Sequence, residues 1–138
     1  MAEIKRLLKE ERVFKPLDMQ DTAFRVSLEK KERFTQVYLR GKDKQSIQAA
    51  PESRSSGYFD YESKWFGGGG GLTSTARDYL RFAQMMLNGG ELDGARVLGR
   101  KTVELMSMNH LKGLKVGSRI LRPGYSFGLN VAVHVDPT

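Results

Sequence analysis

The chain has 138 residues, no cysteine, 39% hydrophobic residues, and 23 Lys and Arg against 16 Asp and Glu. That length and composition suit one domain with a real core and set wholesale disorder aside. The missing cysteines exclude disulfide scaffolds, thiolate zinc sites and cysteine nucleophiles.

The net charge of +7 raises the question of nucleic acid or an anionic surface. Residues 1–50 carry 12 basic and 8 acidic side chains and residues 51–138 carry 11 and 8, so the charge is spread rather than blocked. Lys112, Lys115, Arg119 and Arg122 form the one acid-free basic stretch. A solvated loop explains it as well as a nucleic-acid site does, and nucleic-acid binding is disfavoured. The N-terminus has no apolar signal core, and no run approaches the ~18–20 apolar residues of a membrane span. No membrane role is expected, and the cytoplasm is the default location.

In chain order, Ile4, Leu7, Leu8 and Phe14 predict a helix over 3–14, closed by Pro16. A turn and a short extended piece, Thr22–Val26, follow. Residues 28–39 are charged and of no clear period, and 41–71 read as a long loop without periodicity. It ends in five glycines, Gly67–Gly71. Thr75 and Asp78 have capping-box spacing, with Ser74 as another possible N-cap. They open the clearest helix, whose stripe Ala76, Tyr79, Leu80, Ala83, Met86 and Leu87 predicts the buried face, with Leu80 as its anchor. Asn88-Gly89-Gly90 ends it. Asp93-Gly94 between Leu92 and Val97-Leu98 predicts a hairpin. Residues 100–108 predict a second helix with Val103 and Met106 inward. Phe127, Leu129, Val131, Val133 and Val135 alternate, which predicts one strand over 124–135 with a single apolar face.

Three strings invite chemistry. Gly124-Tyr125-Ser126-Phe127-Gly128 spells G-x-S-x-G, with His134 and Asp136 downstream. A nucleophile elbow needs a strand before the serine and a helix after it, and here the order is loop then strand. On a continuous strand Ser126 and His134 lie about 26 Å apart at ~3.3 Å per residue. Ser27-Leu28-Glu29-Lys30 spells S-x-x-K, but Lys31, Glu32 and Arg33 crowd a surface turn where a buried helix is required. The glycine run precedes a helix and could cradle an anion. It lacks the lysine of a phosphate loop and the dinucleotide fingerprint, so a packing or wall loop is the better reading. The two histidines have no metal spacing. No catalytic residue, metal or cofactor is expected.

The segment from Phe66 to Gly94, with its glycine run, Leu72-Thr73-Ser74-Thr75-Ala76-Arg77-Asp78 and Asn88-Gly89-Gly90-Glu91-Leu92-Asp93-Gly94, resembles the serine β-lactamase-related family. That family includes class C β-lactamases, D-alanyl-D-alanine carboxypeptidases and β-lactamase-like esterases, and the esterase branch is the most similar. The likeness continues through Lys101–Met106, Asn109-His110-Leu111 and Pro123–Leu129. Upstream, Val13–Phe24 is similar to the segment after the family's tyrosine motif, with Asp18 where a glycine is expected.

The resemblance implies an α+β fold, here a mostly helical fragment of the β-lactamase/transpeptidase-like fold with a C-terminal β-strand. Residues 1–138 would be a single partial domain, with 1–108 mainly helical and 124–135 a sheet strand. It implies acyl transfer to serine, on an ester or a β-lactam, in the complete enzyme. The family's S-x-x-K, Y-x-N and K-T-G boxes are not in family positions here, and Lys101-Thr102 is followed by Val103. The chain therefore reads as an interior fragment, inactive alone, in which Gly68, Gly69, Gly70, Gly71 and Leu72 line the approach to a cleft. Two other readings are a non-catalytic module that completes a partner chain and a small basic nucleic-acid-binding protein. An unpaired C-terminal strand edge leads to expected self-association.

Overall fold

The computed structural model describes residues 10–51, 71–114 and 124–135. The chain divides into two compact units, Met1–Tyr79 and Leu80–Thr138. Most of the predicted N-terminal helix lies outside the described residues.

In the first unit, Glu10–Phe14 forms a wide helical turn, and Lys15 N–H reaches back to Glu10 O at 2.9 Å. Pro16 follows directly, where its fixed φ and missing N–H oppose continuation of the helix. Leu17 and Phe24 are almost fully buried, and Phe14, Met19 and Ala50 join them in the core. Ala23 pairs with Thr73 through two backbone hydrogen bonds of 3.1 and 2.9 Å, so the predicted extended piece is a single antiparallel bridge. Leu28–Arg33 is a short, tight helix. Tyr38–Arg40 (β1) pairs antiparallel with Ile47–Ala49 (β2), Leu39 opposite Gln48. The expected loop over 41–71 therefore contains a strand. Its turn is held by Asp43, whose carboxylate accepts the Gln45 and Ser46 N–H groups and the Ser46 hydroxyl, a local closure that needs no hydrophobic period.

Ala76–Leu87 (α1) is the longest helix, as predicted, and Thr75 Oγ accepts the Asp78 N–H at 3.2 Å to cap it. Its orientation is the reverse of the predicted one. Asp78 and Met85 are fully buried, whereas Tyr79, Leu80 and Leu87 are 67%, 66% and 81% exposed. α1 has apolar residues on two sides, with Phe82 and Met85 opposite the Leu80 stripe. Asp78 decides which side turns inward, because its carboxylate is held by a segment far back in the sequence.

In the second unit, Glu91–Leu92 (β3) pairs with Ala95–Arg96 (β4) around Asp93-Gly94. Both turn residues have positive φ, 49° and 81°, the type I′ geometry that suits the twist of a hairpin and that glycine adopts without steric cost. Arg100–Met106 (α2) buries Val103 and half-buries Met106, as predicted.

Residues 124–135 do not form one strand. Tyr125–Phe127 (β5) and Ala132–His134 (β6) are the arms of an antiparallel hairpin, with Ser126 opposite Val133. The chain reverses at Leu129-Asn130, where Asn130 takes φ 65°, a conformation asparagine tolerates better than most residues. Alternation of apolar residues survives a two-residue turn, so periodicity alone could not reveal it. The hairpin end is fixed to α2: Leu129 N–H donates to Met106 O at 2.9 Å, and His110 N–H donates to Phe127 O at 3.0 Å. A side chain on Gly128 would place its Cβ 2.0 Å from Met106 O, so this approach requires glycine.

Candidate functional site

The residues singled out for chemistry do not assemble into a catalytic pair. Ser27 precedes the short helix, and Lys30 turns away from it. Lys30 Nζ donates to Asp21 Oδ1 at 2.6 Å and to Gln20 O at 2.9 Å. Ser126 is buried, and its hydroxyl donates to Asn109 Oδ1, which also accepts the Leu111 N–H at 3.0 Å. His134 lies across the hairpin from Tyr125, their rings edge-to-face at 5.2 Å. The hairpin overturns the separation expected from a continuous strand. Ser126 and His134 occupy non-opposed positions on adjacent strands, so their side chains emerge on opposite faces. The triad reading thus fails on facing, not on distance. Asp136 and Gly68–Gly70 lie outside the described residues.

What the fold does assemble, within the first unit, is a polar cluster beside a recess of about 580 Å³. Asp21, Lys30 and Arg33 line one side, Thr73, Ser74 and Thr75 another, with Val26 and Phe34 among the apolar lining. The cluster grows from α1. Asp78 Oδ2 accepts the Asp21 N–H at 2.7 Å and the Thr22 hydroxyl at 2.9 Å. Thr22 Oγ, donating to that carboxylate, accepts from Ser74 Oγ at 2.7 Å. This chain links the helix N-terminus to the segment at 21–22 and leaves no buried polar side-chain atom unpaired among the described residues. Of the expected wall residues, Gly71 has φ 94° and Leu72 is 37% exposed, and the recess lining starts one residue later, at Thr73.

The Asp21 side chain is the electrostatic centre. Arg33 grips both carboxylate oxygens, Nη2 to Oδ2 at 2.8 Å and Nη1 to Oδ1 at 3.2 Å, and Lys30 adds the contact described above. The Arg33 hydrogen bonds foremost, then that from Lys30, hold the Asp21 carboxyl well below the usual carboxylate range. The same bond raises the Arg33 guanidinium above its ordinary value. A depressed folded-state pKa contributes stability that is fully present above the unfolded value of about 3.9 and is lost as pH falls through the folded value. Arg33→Ala is therefore expected to move the Asp21 titration midpoint upward, as read by carboxyl-carbon NMR. An unchanged midpoint would show that the pair does not persist in solution.

Sequence reasoning weighed Lys30 only as the base of an S-x-x-K pair and missed Asp21, Arg33 and Asn109. Asp78 was read as a cap partner, not as an acceptor for residues 56 and 57 positions upstream. The only available signal was that Asp78, in the first turn, is the one acidic residue of the helix. Charged and hydroxyl side chains line the recess, but nothing in this cluster places a serine against a base. Among the described residues there is no group of three or more histidine or acidic side chains able to hold a metal, and no helix is long and apolar enough to cross a membrane.

Comparison with known proteins gives this arrangement its context. The uncharacterized protein MT1414 of Mycobacterium tuberculosis (strain CDC 1551) and protein Rv1367c of Mycobacterium tuberculosis (strain H37Rv) are each 36% identical to the chain over 135 residues. The match covers 93% of this chain and 32% of each relative, so the chain spans about a third of their length. The octameric penicillin-binding protein homologue from Pyrococcus abyssi shares the fold, with TM-score 0.63 at 18% identity over 92% of this chain and 24% of that chain. The model of the Beta-lactamase family matches residues 6–137. An α+β chain with a capped helix behind a glycine run, matched over nearly all its length, belongs to the beta-lactamase family.

Proposed function

We propose that this chain forms a non-catalytic middle segment of a β-lactamase-related serine hydrolase. In this reading 1–138 is one partial domain. Gly71 and Leu72, with the preceding glycines, form wall on the approach to a cleft, and the parent reaction is acyl transfer to serine on an ester or β-lactam. The observation that carries the reading is the engagement of both candidate serines' surroundings: Lys30 is bound to Asp21, and the Ser126 hydroxyl to Asn109. An unactivated serine hydroxyl is a weak nucleophile. The purified chain is expected to show no burst acylation and no turnover with a chromogenic short-chain ester or cephalosporin. A burst abolished by Ser27→Ala or Ser126→Ala overturns the reading.

Self-association is a second, separate proposal. It is favoured by β6, an edge of a two-stranded sheet among the described residues, and by the octameric state of the solved neighbour. Sedimentation velocity over a wide concentration range tests it. Ala132 alternates with the residues whose N–H groups bond inward to β5, so its own N–H faces the free edge. Association weakened by Ala132→Pro supports the edge, and a monomer throughout removes it.

A further inference from the structure

One face of α1 is left open. Leu80 and Leu87 are largely exposed, and Ala83 between them is exposed as well. Spacings of three and four residues set these side chains on one line along the helix. Scattered surface leucines are ordinary in a folded protein, but a line of apolar side chains on one helix face is a surface in need of cover. Both cations of the helix are paired with carboxylates, Arg77 with Asp18 at 3.6 Å and Arg81 with Asp93 at 2.6 Å. The opposite side of α1 is already seated, with Met85 fully buried. The helix is therefore apolar on two sides and covered on one.

The occupant follows from the length of the relatives. They share this segment over 93% of its length, within chains about three times as long. The remaining two-thirds must seat on this third somewhere, and burial of apolar area is the main driving force for doing so. We propose that the Leu80–Ala83–Leu87 face is the docking surface for the remainder of a β-lactamase-family chain, the part that this segment does not span. The inference rests on the reading of the chain as part of a larger hydrolase.

The absence of cysteine makes the test direct, because Leu87→Cys introduces a single thiol. Its maleimide labelling rate is compared in the isolated chain and in a chimera. The chimera is one of the Mycobacterium tuberculosis relatives with its matching third replaced by this chain, and the labelled peptide is followed by mass spectrometry. The thiol is expected to react at least about tenfold more slowly in the chimera, since a covered group reacts only when the face opens. Lys101→Cys, whose native side chain is 91% exposed on α2, should react equally in both. The same comparison is made with the remaining two-thirds added as a separate polypeptide, which covers a chimera that fails to fold. No protection in either format overturns the proposal. So does an isolated-chain rate that falls with protein concentration, which assigns the face to a second copy. Ester hydrolysis by the isolated chain would overturn the non-catalytic reading while leaving thiol protection unchanged, so the two failures are distinguishable.

Discussion

Met85→Ala is expected to lower the unfolding free energy by about 2–5 kcal/mol, whereas Leu80→Ala should change it by less than about 0.5 kcal/mol. Met85 has no exposed surface, so truncation removes buried methylenes and leaves a cavity that the neighbours can only partly fill. Leu80 is two-thirds exposed, so its truncation removes little area that folding had taken from water. Both residues are on α1, and both changes have the same effect on helix propensity within a few tenths of a kcal/mol. The contrast therefore isolates packing. Urea melts of the two variants, compared by midpoint at unchanged slope, decide the matter. Equal losses, or a larger loss at Leu80, would mean that α1 turns the Leu80 stripe inward.

The second large effect is at Asp78. Asp78→Ala should cost about 2–5 kcal/mol, because two donors lose their acceptor at once and each unsatisfied group carries a penalty of about 1–3 kcal/mol. The donors are the Asp21 N–H and the Thr22 hydroxyl, and Thr22 is itself buried. The damage extends past the helix cap, since the Thr22–Ser74 contact and the placement of Asp21 depend on the same carboxylate. Asp78→Asn keeps the shape and an oxygen acceptor, so it should recover part of the loss. Amide hydrogen exchange at Asp21 supplies the local readout. An Asp21 amide as protected in Asp78→Ala as in the wild type would show that this hydrogen bond does not hold the segment.

These two residues also show how much of the architecture was legible in the sequence. α1, its Thr75 cap, its stop at Asn88-Gly89-Gly90, the Asp93-Gly94 hairpin and α2 were readable because adjacent residues determine each of them. The family resemblance was readable for the same reason, as strings at fixed spacing. The inward side of α1 was not, because apolar residues occupy two faces and the choice is made by a carboxylate whose partners lie 56 and 57 positions away. The hairpin at 124–135 was hidden differently. A tight reversal at Leu129-Asn130 carries no glycine and preserves alternation, so it imitates one long strand. Within the candidate site, Lys30 was visible as a motif letter, but its actual partner, Asp21, precedes it by nine residues and belongs to no motif.

The close approach of Gly128 to Met106 has a consequence for how mutational tolerance is read. In a saturation library selected for folded protein, position 128 should accept almost nothing, since any Cβ meets a backbone carbonyl that α2 holds in place. Ser126, buried and bonded to Asn109, should be nearly as restrictive. Two depleted columns inside a G-x-S-x-G string would then have the profile of a nucleophile and its flanking glycine. Here that profile would come from sterics and from the bond of the Ser126 hydroxyl to the Asn109 amide oxygen. For this chain, intolerance at the serine and glycine of such a string is accounted for by the fit between a hairpin and a helix end, without invoking catalysis.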